Sequence, residues 1–239
     1  KCGRSTRLLG LGPFERAVAV PAPDAGGARG DECSAYLRHI LDHYDALANF
    51  TLFLQSDPTK HFTPDFFDVV LRSLAAGTYS APFLSFNAVM HGKNSLHCVE
   101  GVHRKIFGFN LTESPRSYCC AQFVVSRDAV LLRSHHFFSR MLSLVNGTES
   151  VRDVCRARDS DGRSPSCLAL EYLWHMVFGE VPDPGPREAD LRLPVALRWE
   201  QASHGALTMR THPALEDRCS ANAGEPEQRW RGRCAIHAE

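Results

Sequence analysis

The sequence lacks the motifs that identify several large enzyme classes. It contains no Gly-x-Ser-x-Gly, no phosphate-binding loop ending in Gly-Lys-Ser/Thr, no His-Glu-x-x-His and no complete Gly-x-Gly-x-x-Gly. Serine hydrolase, nucleoside triphosphatase, zinc metalloprotease and dinucleotide-binding functions therefore have no motif in their favour.

An excess of charge and a long apolar run are absent as well. The 27 basic residues balance the 27 acidic ones, whereas nucleic-acid-binding surfaces show a basic excess or stripe. No apolar run approaches the ~20 residues that span a bilayer. We therefore expect neither a nucleic-acid partner nor a transmembrane segment in this chain.

Cysteine is abundant, but its spacing is not that of a metal site. The chain has no Cys-x-x-Cys pair and no histidine pair at zinc-finger spacing, which argues against structural zinc. Scattered cysteines are typical of disulfides in an oxidising compartment. Because the count of nine is odd, at least one thiol is free or bonds outside this chain. The cysteines are Cys2, Cys33, Cys98, Cys119, Cys120, Cys155, Cys167, Cys219 and Cys234.

Three N-glycosylation sequons point to the same compartment. They begin at Asn49, Asn110 and Asn146, and account for half of the six asparagines. Sequons accept N-linked glycans in the secretory pathway. We expect a secreted or lumenal glycoprotein (endoplasmic reticulum, Golgi or extracellular), with its targeting information upstream of Lys1, since the first residues do not resemble a signal peptide.

Helical and strand-like patterns alternate along most of the chain. Helical spacing occurs at residues 33–47, 64–76, 95–107, 137–145 and 165–178, and short apolar runs at 50–54, 82–86 and 120–125 predict strands. Ser126 is expected to start a further helix after the last run. This alternation predicts an α/β domain over residues 1–180, with a mostly parallel sheet flanked by helices. Residues 181–239, rich in Pro, Gly and Arg, predict an irregular C-terminal extension packed on or linked to that domain.

Glu171 and His175 form the first candidate site. They lie four residues apart in an otherwise apolar segment, so a helix would place them on one face. A buried carboxylate beside an imidazole can act as a general base or metal ligand. A hydrogen-bonded structural pair, or the wet stripe of the helix, explains the same pattern.

The second candidate site follows the predicted strand 50–54. Gln55, Asp57 and His61 lie in this loop, and ligands of open α/β sheets bind outside the carboxyl ends of strands. Asp57 and His61 could hold a divalent cation, with Gln55 and Asp57 near a phosphate. Ordinary turn chemistry of Ser-Asp-Pro accounts for the same residues.

Several stretches together resemble an uncharacterised domain-of-unknown-function family of fungi, plants and algae. They are residues 30–32 (GDE), 35–37 (AYL), 43–47 (HYDAL), 51–55 (TLFLQ), 120–127 (CAQFVVSR) and 171–179 (EYLWHMVFG). Their order and separation fit over roughly residues 17–180. That family is in turn similar to the glycosyltransferase A class of folds. The resemblance implies a nucleotide-sugar donor, Mn²⁺ or Mg²⁺ near Asp57, and an acceptor base near Glu171.

The chain departs from the family pattern in three places. Asp31 replaces the usual arginine, residues 1–16 match poorly where an earlier strand belongs, and residues 55–57 offer one carboxylate instead of Asp-x-Asp. Two functions therefore stay open. One is a lumenal glycosyltransferase-like enzyme, and the other is a non-catalytic extracellular module on the same fold, part of a surface or wall assembly. The module would bind a protein partner through an unpaired cysteine or an apolar patch.

Overall fold

The structure is a computed structural model of the 239-residue chain. Statements about structure refer to the residues that it describes. These are 32–55, 62, 64–87, 90–91, 98–118, 120–146, 165–203 and 206–209. The predicted metal ligands Asp57 and His61 lie outside the described residues.

Helices and short strands alternate along the described chain. The helices are α1 (Glu32–Asp42), α2 (Pro64–Ala75), α3 (Val99–Phe107), α4 (Arg127–Leu131), α5 (His135–Val145), α6 (Pro165–Glu171), α7 (Trp174–Val177) and α8 (Val195–Trp199). The strands are β1 (Phe50–Phe53), β2 (Phe83–Ser85), β3 (Met90–His91), β4 (Ser117–Tyr118), β5 (Phe123–Ser126), β6 (Glu200–Ser203) and β7 (Ala206–Met209). None of these helices is long and apolar enough to cross a membrane.

The central sheet has three strands in the order β1–β5–β2, and β5 is antiparallel to both neighbours. β3 pairs with β4, and β6 pairs with β7, also antiparallel. The prediction of a mostly parallel sheet is therefore wrong. The coarser prediction, a mixed α/β domain with helices packed on a sheet, is confirmed.

The position of β5 explains this error. β1 and β2 run in the same direction, and α2 connects them as the alternation predicted, but β5 lies between them. Val124 and Val125 of β5 are fully buried, since both faces of the sheet are covered. A strand buried on both faces has the continuous apolar sequence that is typical of parallel strands. Such a run carries no information on strand direction.

Helices cover the sheet on two sides and give two hydrophobic cores. Phe123 and Val125 pack in the larger core with residues of α1, α3, α5, α6 and α7. Val124 packs in the smaller core with residues of α2 and α8. Successive side chains of a strand point to opposite faces, so β5 supplies both cores and the domain has three layers.

Several boundaries follow from local chemistry that the sequence indicated. The Ser126 hydroxyl accepts a hydrogen bond of 3.1 Å from the Ala129 amide and caps α4, as predicted. Gly77 takes a left-handed φ of +68° just beyond α2, where a residue with a Cβ would be strained. Helix α5 ends at Val145, also as predicted.

A disulfide between Cys33 and Cys167 joins α1 to α6 across 134 residues of chain. Both cysteines are buried in the larger core, and the two helices also pack directly on each other. The prediction that the domain is disulfide-bonded is confirmed. Because α6 ends at Glu171, this crosslink fixes the helix that carries a predicted site residue.

Residues 181–199, which the sequence assigned to the C-terminal extension, pack closely on the domain. Leu193 and Leu197 are buried in the smaller core. Arg187, earlier in the same stretch, is only 6% exposed. This stretch contributes a wall of the candidate site described next.

Candidate functional site

The carboxyl ends of β1 and β2 meet at one edge of the sheet. Phe53 and Ser85 both pair with Phe123, the first residue of β5. The two strands therefore end side by side, with the start of β5 between them. Strand ends of this kind commonly bind ligands in α/β proteins.

Gln55, a predicted cofactor-binding residue, lies at this edge in a short hydrogen-bonded chain. Its backbone amide donates to Oε1 of Gln122 at 3.3 Å. Its side-chain Nε2 donates to Oε1 of Glu32 at 3.0 Å. Gln122 is fully buried, so these contacts hold the end of β1 against the start of β5 and α1.

A turn in an uncommon conformation precedes β5. Cys120 and Ala121 have positive φ values of 74° and 44°, and residues with a Cβ rarely adopt this region. Such strain is often found beside functional sites. Ala121 lines the cleft described next.

A cleft of about 610 Å³, open to solvent, lies at this edge. Much of this space is open solvent, and the accessible volume inside the cleft is only about 50 Å³, well below the roughly 300–1,000 Å³ of most small-molecule sites. The lining comes from β2, β4, β5, from the α6–α7 segment and from residues 180–193. It includes Gln122, Glu171 and His175, so the structure brings the two predicted catalytic residues together in one cleft.

Glu171 and His175 do not lie on one continuous helix. Helix α6 ends at Glu171 and α7 begins at Trp174. Between them the Tyr172 and Leu173 amides donate to carbonyls three residues back, at 3.1 and 2.9 Å, a tighter 3-10 arrangement. The break leaves both residues lining the cleft.

The charges of Glu171 and Glu32 both act on the buried phenol of Tyr36. Burial raises the pKa of Tyr36 well above its ordinary value, and the charges of Glu32 and Glu171 raise it further. The Tyr36 hydroxyl therefore keeps its proton at neutral pH. Since Glu32 binds Gln55, the two predicted sites share one electrostatic environment.

His175 is a buried, neutral imidazole. It is 3% exposed, and burial lowers its pKa to about 4, against smaller opposing effects of the Pro182 carbonyl and Asp183. The 3.2 Å contact between Nε2 and the Pro182 carbonyl oxygen requires Nε2 to carry the hydrogen. Nδ1 then has the lone pair, and it has no hydrogen-bond partner in the described part of the chain.

We expect this burial to make stability depend on pH. Between pH 6.5 and about 4 the unfolded chain protonates His175 while the folded chain does not. The free energy of unfolding therefore falls as pH is lowered through this window, by about 3 kcal/mol in total. Urea unfolding of wild type and His175→Gln at both ends of the window checks this.

The comparison between the two proteins isolates His175. Burial also lowers the pKa of His103, and carboxylates titrate at the acid end, but both contributions are common to wild type and variant. Only the difference in pH dependence of the free energy of unfolding between wild type and His175→Gln is assigned to His175. Equal pH dependence of the two proteins would contradict the assignment.

Arg187 fixes residues 180–193 to the sheet. Its Nη2 donates to the carbonyl oxygens of Ser85 at 2.8 Å and Asn87 at 2.6 Å. Its guanidinium carbon lies 4.6 Å from the ring centre of Phe66 and 4.8 Å from that of Tyr118. Arginine suits this position because its planar cation stacks on aromatic rings and donates in its own plane.

Arg192 joins the two ends of the same segment. It donates to both carboxylate oxygens of Glu180, at 2.7 and 2.8 Å, and to Asp190 at 2.8 Å. The hydrogen bonds to Asp190 and then to Glu180 raise the pKa of Arg192. Because Arg192 is half exposed, these pairs close the segment without much stabilising the fold.

The predicted metal and glycan sites have different outcomes. Asp57 and His61 lie outside the described residues, and the described part contains no cluster of three or more metal-binding side chains.

The predicted glycan sites differ in exposure. Asn49 and Asn110 are exposed. Asn146 is half-buried at the end of α5, and its Oδ1 accepts a 3.1 Å hydrogen bond from Ser34. A glycan would attach through Nδ2, which this bond does not occupy.

Four cleft residues that matter below were not singled out from the sequence: Ser117, Gln122, Trp174 and Arg187. Gln122 and Trp174 lie inside stretches that resemble the family, 120–127 and 171–179, so those motifs did contain a signal. Arg187 lies in the stretch that was assigned to an irregular extension. Its role depends on Phe66 and Tyr118, which are remote in sequence, and no local pattern indicates it.

Part of the chain matches the model of a known family. No curated protein and no solved structure matches the chain. The predicted resemblance to a domain-of-unknown-function family is confirmed in part: the match includes Arg187, but the predicted stretches between residues 30 and 55 lie outside it. Residues 81–191, a little under half of the chain, match the model of a family described as "Protein of unknown function (DUF3431)".

Proposed function

We propose that the protein is a glycosyltransferase-like enzyme of the secretory pathway and that the cleft is its ligand site. One observation carries the proposal: Glu171 and His175 line the same cleft at the strand ends. Gln55 is tied to that cleft through Gln122. The relation to glycosyltransferase A folds is part of the proposal and rests on the sequence resemblance.

Glu171 is the residue best placed to act as acceptor base. It is half-buried at the end of α6 and lines the cleft, so a bound hydroxyl can reach it. In the proposed transfer, the acceptor oxygen attacks the sugar's anomeric carbon, the bond to the diphosphate oxygen breaks, and the Glu171 carboxylate takes the hydroxyl proton. His175 stays neutral above pH 4, so it serves as a hydrogen-bonding group and not as a cation.

The donor and its metal belong to the same proposal. Asp57 and His61 follow Gln55 in the chain, and Gln55 lies at the edge of the sheet where the cleft lies. Mn²⁺ or Mg²⁺ held by them would supply positive charge against a leaving diphosphate. Gln55 would then contact the nucleotide sugar.

Replacement of Glu171 by glutamine tests the catalytic assignment. Without a base, release of nucleotide from nucleotide sugars should fall by about 10²- to 10⁴-fold. The melting temperature should barely change, because the amide has nearly the same shape as the carboxylate. Glu100→Gln, on the exposed face of α3, is the matched control. A large loss of stability in Glu171→Gln would instead identify Glu171 as a structural partner.

The proposed location rests on the sequons and the cysteines. Asn49 and Asn110 are exposed, and the Cys33–Cys167 disulfide is of a kind that persists in oxidising compartments. Mass spectrometry before and after enzymatic deglycosylation of protein from a eukaryotic host tests it. An unmodified Asn49 and Asn110 would contradict a secretory route.

Exposed apolar side chains favour a second candidate function, the non-catalytic module. Leu191 is 82% exposed, Leu132 63% and Val181 60%, and large exposed apolar side chains can mark a protein interface. Under this alternative Glu171→Gln changes neither turnover nor stability, while a partner protein covers these side chains.

A further inference from the structure

Three neutral side chains of the cleft wall each have a buried polar atom without a hydrogen-bond partner among the described residues. These atoms are Ser117 Oγ, Trp174 Nε1 and His175 Nδ1. The three residues are between 2% and 3% exposed. Buried polar atoms in native proteins are nearly always hydrogen-bonded, and an exception calls for an explanation such as a ligand.

The charged groups of the cleft, by contrast, have partners. Arg192 is paired with Glu180 and Asp190. Arg187 donates to two backbone carbonyls. Apart from Nε of Arg187, which makes no hydrogen bond within the described part of the chain, the hydrogen-bonding capacity left over is that of neutral groups.

The unpaired atoms together suit a hydroxyl group. The indole N–H can only donate, the Nδ1 lone pair can only accept, and the serine hydroxyl can do either. A hydroxyl donates one hydrogen bond and accepts others, so it satisfies all three kinds of atom. An anion would be opposed by the carboxylates of Glu171, Glu180 and Asp190, which outnumber the two arginines of the lining.

We propose that Ser117, Trp174 and His175 form a subsite for an uncharged, hydroxyl-bearing part of the ligand, such as the ring of a sugar. This proposal rests on the proposed function in taking that ligand to be a sugar. It assigns the sugar to this part of the cleft and leaves the diphosphate to the edge near Gln55.

Access to this subsite requires one wall to move, because the three atoms are shielded from solvent. Residues 180–184, here called the gate, are the best placed to do so. Gly179 and Gly185 flank the gate with φ of +89° and +71°. Two ion pairs hold it: the nearly buried Glu180 pairs with half-exposed Arg192, and Asp183 pairs with Arg116 at the surface. Arg187 stays anchored beyond it.

The Pro182 carbonyl is the link between the gate and His175. It accepts hydrogen bonds from Nε2 of His175 at 3.2 Å and from the Arg116 amide at 2.9 Å. Opening the gate would release the imidazole and admit solvent or ligand to it. Movement of residues 180–184 is therefore coupled to the exposure of His175.

Reaction with diethyl pyrocarbonate, mapped by mass spectrometry, tests access. His103 is the matched control: it is also buried, has one ring nitrogen on a backbone carbonyl, and has the other without a partner in the described chain. His175 should react several-fold faster than His103, and Glu180→Gln should increase only the rate of His175. Equal slow rates, unchanged by Glu180→Gln, would overturn the gate.

Ligand-observed NMR with methyl glycosides tests the subsite itself. Ser117→Ala should weaken binding of the recognised glycoside about fivefold, the value of one hydrogen bond. Ser73→Ala is the control, because it removes a buried, unpartnered hydroxyl from α2, away from the cleft. Both variants should fold as stably as wild type. Inorganic pyrophosphate should not compete.

Each result decides the proposal. Failure of every glycoside to bind wild type, equal weakening by Ser73→Ala, or competition by pyrophosphate would overturn the neutral subsite. Glycoside binding that depends on Ser117, without any binding of nucleotide sugars, would sustain the subsite and reject the transferase. Turnover of nucleotide sugars with Ser117→Ala unchanged in glycoside affinity would sustain the transferase and reject the subsite.

Discussion

Removal of the Cys33–Cys167 disulfide should lower the free energy of unfolding by about 4 kcal/mol. The crosslink closes 134 residues of chain, and a disulfide stabilises chiefly by restricting the unfolded chain, more so for long loops. The double variant Cys33→Ala, Cys167→Ala, studied by urea unfolding, measures the effect. A loss of this size is a large part of the stability of an ordinary domain.

Cys98→Ala separates the crosslink from simple loss of packing. Cys98 is a buried thiol of the larger core, so its truncation costs about 1 kcal/mol of apolar contact. The double variant should lose clearly more than twice as much. A loss no greater than that expected from two such truncations would show that the disulfide adds little to the fold.

Replacement of Arg187 by methionine should cost about 3 kcal/mol. The variant keeps an apolar stem but loses the charged donor to the Ser85 and Asn87 carbonyls and the stacking on Phe66 and Tyr118. Hydrogen bonds to charged groups contribute about 1.5–3 kcal/mol each, and a buried cation–π contact about 2 kcal/mol. Release of a buried cation from the core offsets part of this sum.

Arg192→Met is the control for Arg187→Met. Arg192 forms ion pairs with Glu180 and Asp190, but its side chain is half exposed, and solvent-screened pairs contribute at most about 1 kcal/mol each. Urea unfolding should therefore show a larger loss of stability for Arg187→Met than for Arg192→Met, because Arg187 is the more buried residue, even though Arg192 forms two ion pairs. The opposite order would mean that the segment 180–193 is held by its surface pairs.

Much of the local structure could be predicted because it depends on nearby residues. The apolar run that became β1, the cap at Ser126 and the left-handed Gly77 each act within a few positions. The direction of β5 could not be predicted, since its partner strands are remote in sequence: Val125 pairs with Thr51, 74 positions away, and with Phe83, 42 positions away.

The candidate site was predictable to the same extent. Glu171 and His175 were found from spacing and do line one cleft. The 3-10 break between them has no glycine or proline to indicate it. The partner of His175 is the backbone carbonyl of Pro182. Every residue has such a carbonyl, so the sequence does not indicate which one binds His175.

A thermal-shift titration with Mn²⁺ and a panel of nucleotide sugars tests the proposed function most directly. A ligand that binds only the folded protein stabilises it by about 2.7 kcal/mol at a hundredfold excess over its Kd. If the cleft is a transferase site, the melting temperature should rise with at least one nucleotide sugar, and the rise should depend on Mn²⁺ or Mg²⁺. No shift with any of them would contradict a transferase site and leave the cleft to a non-catalytic module.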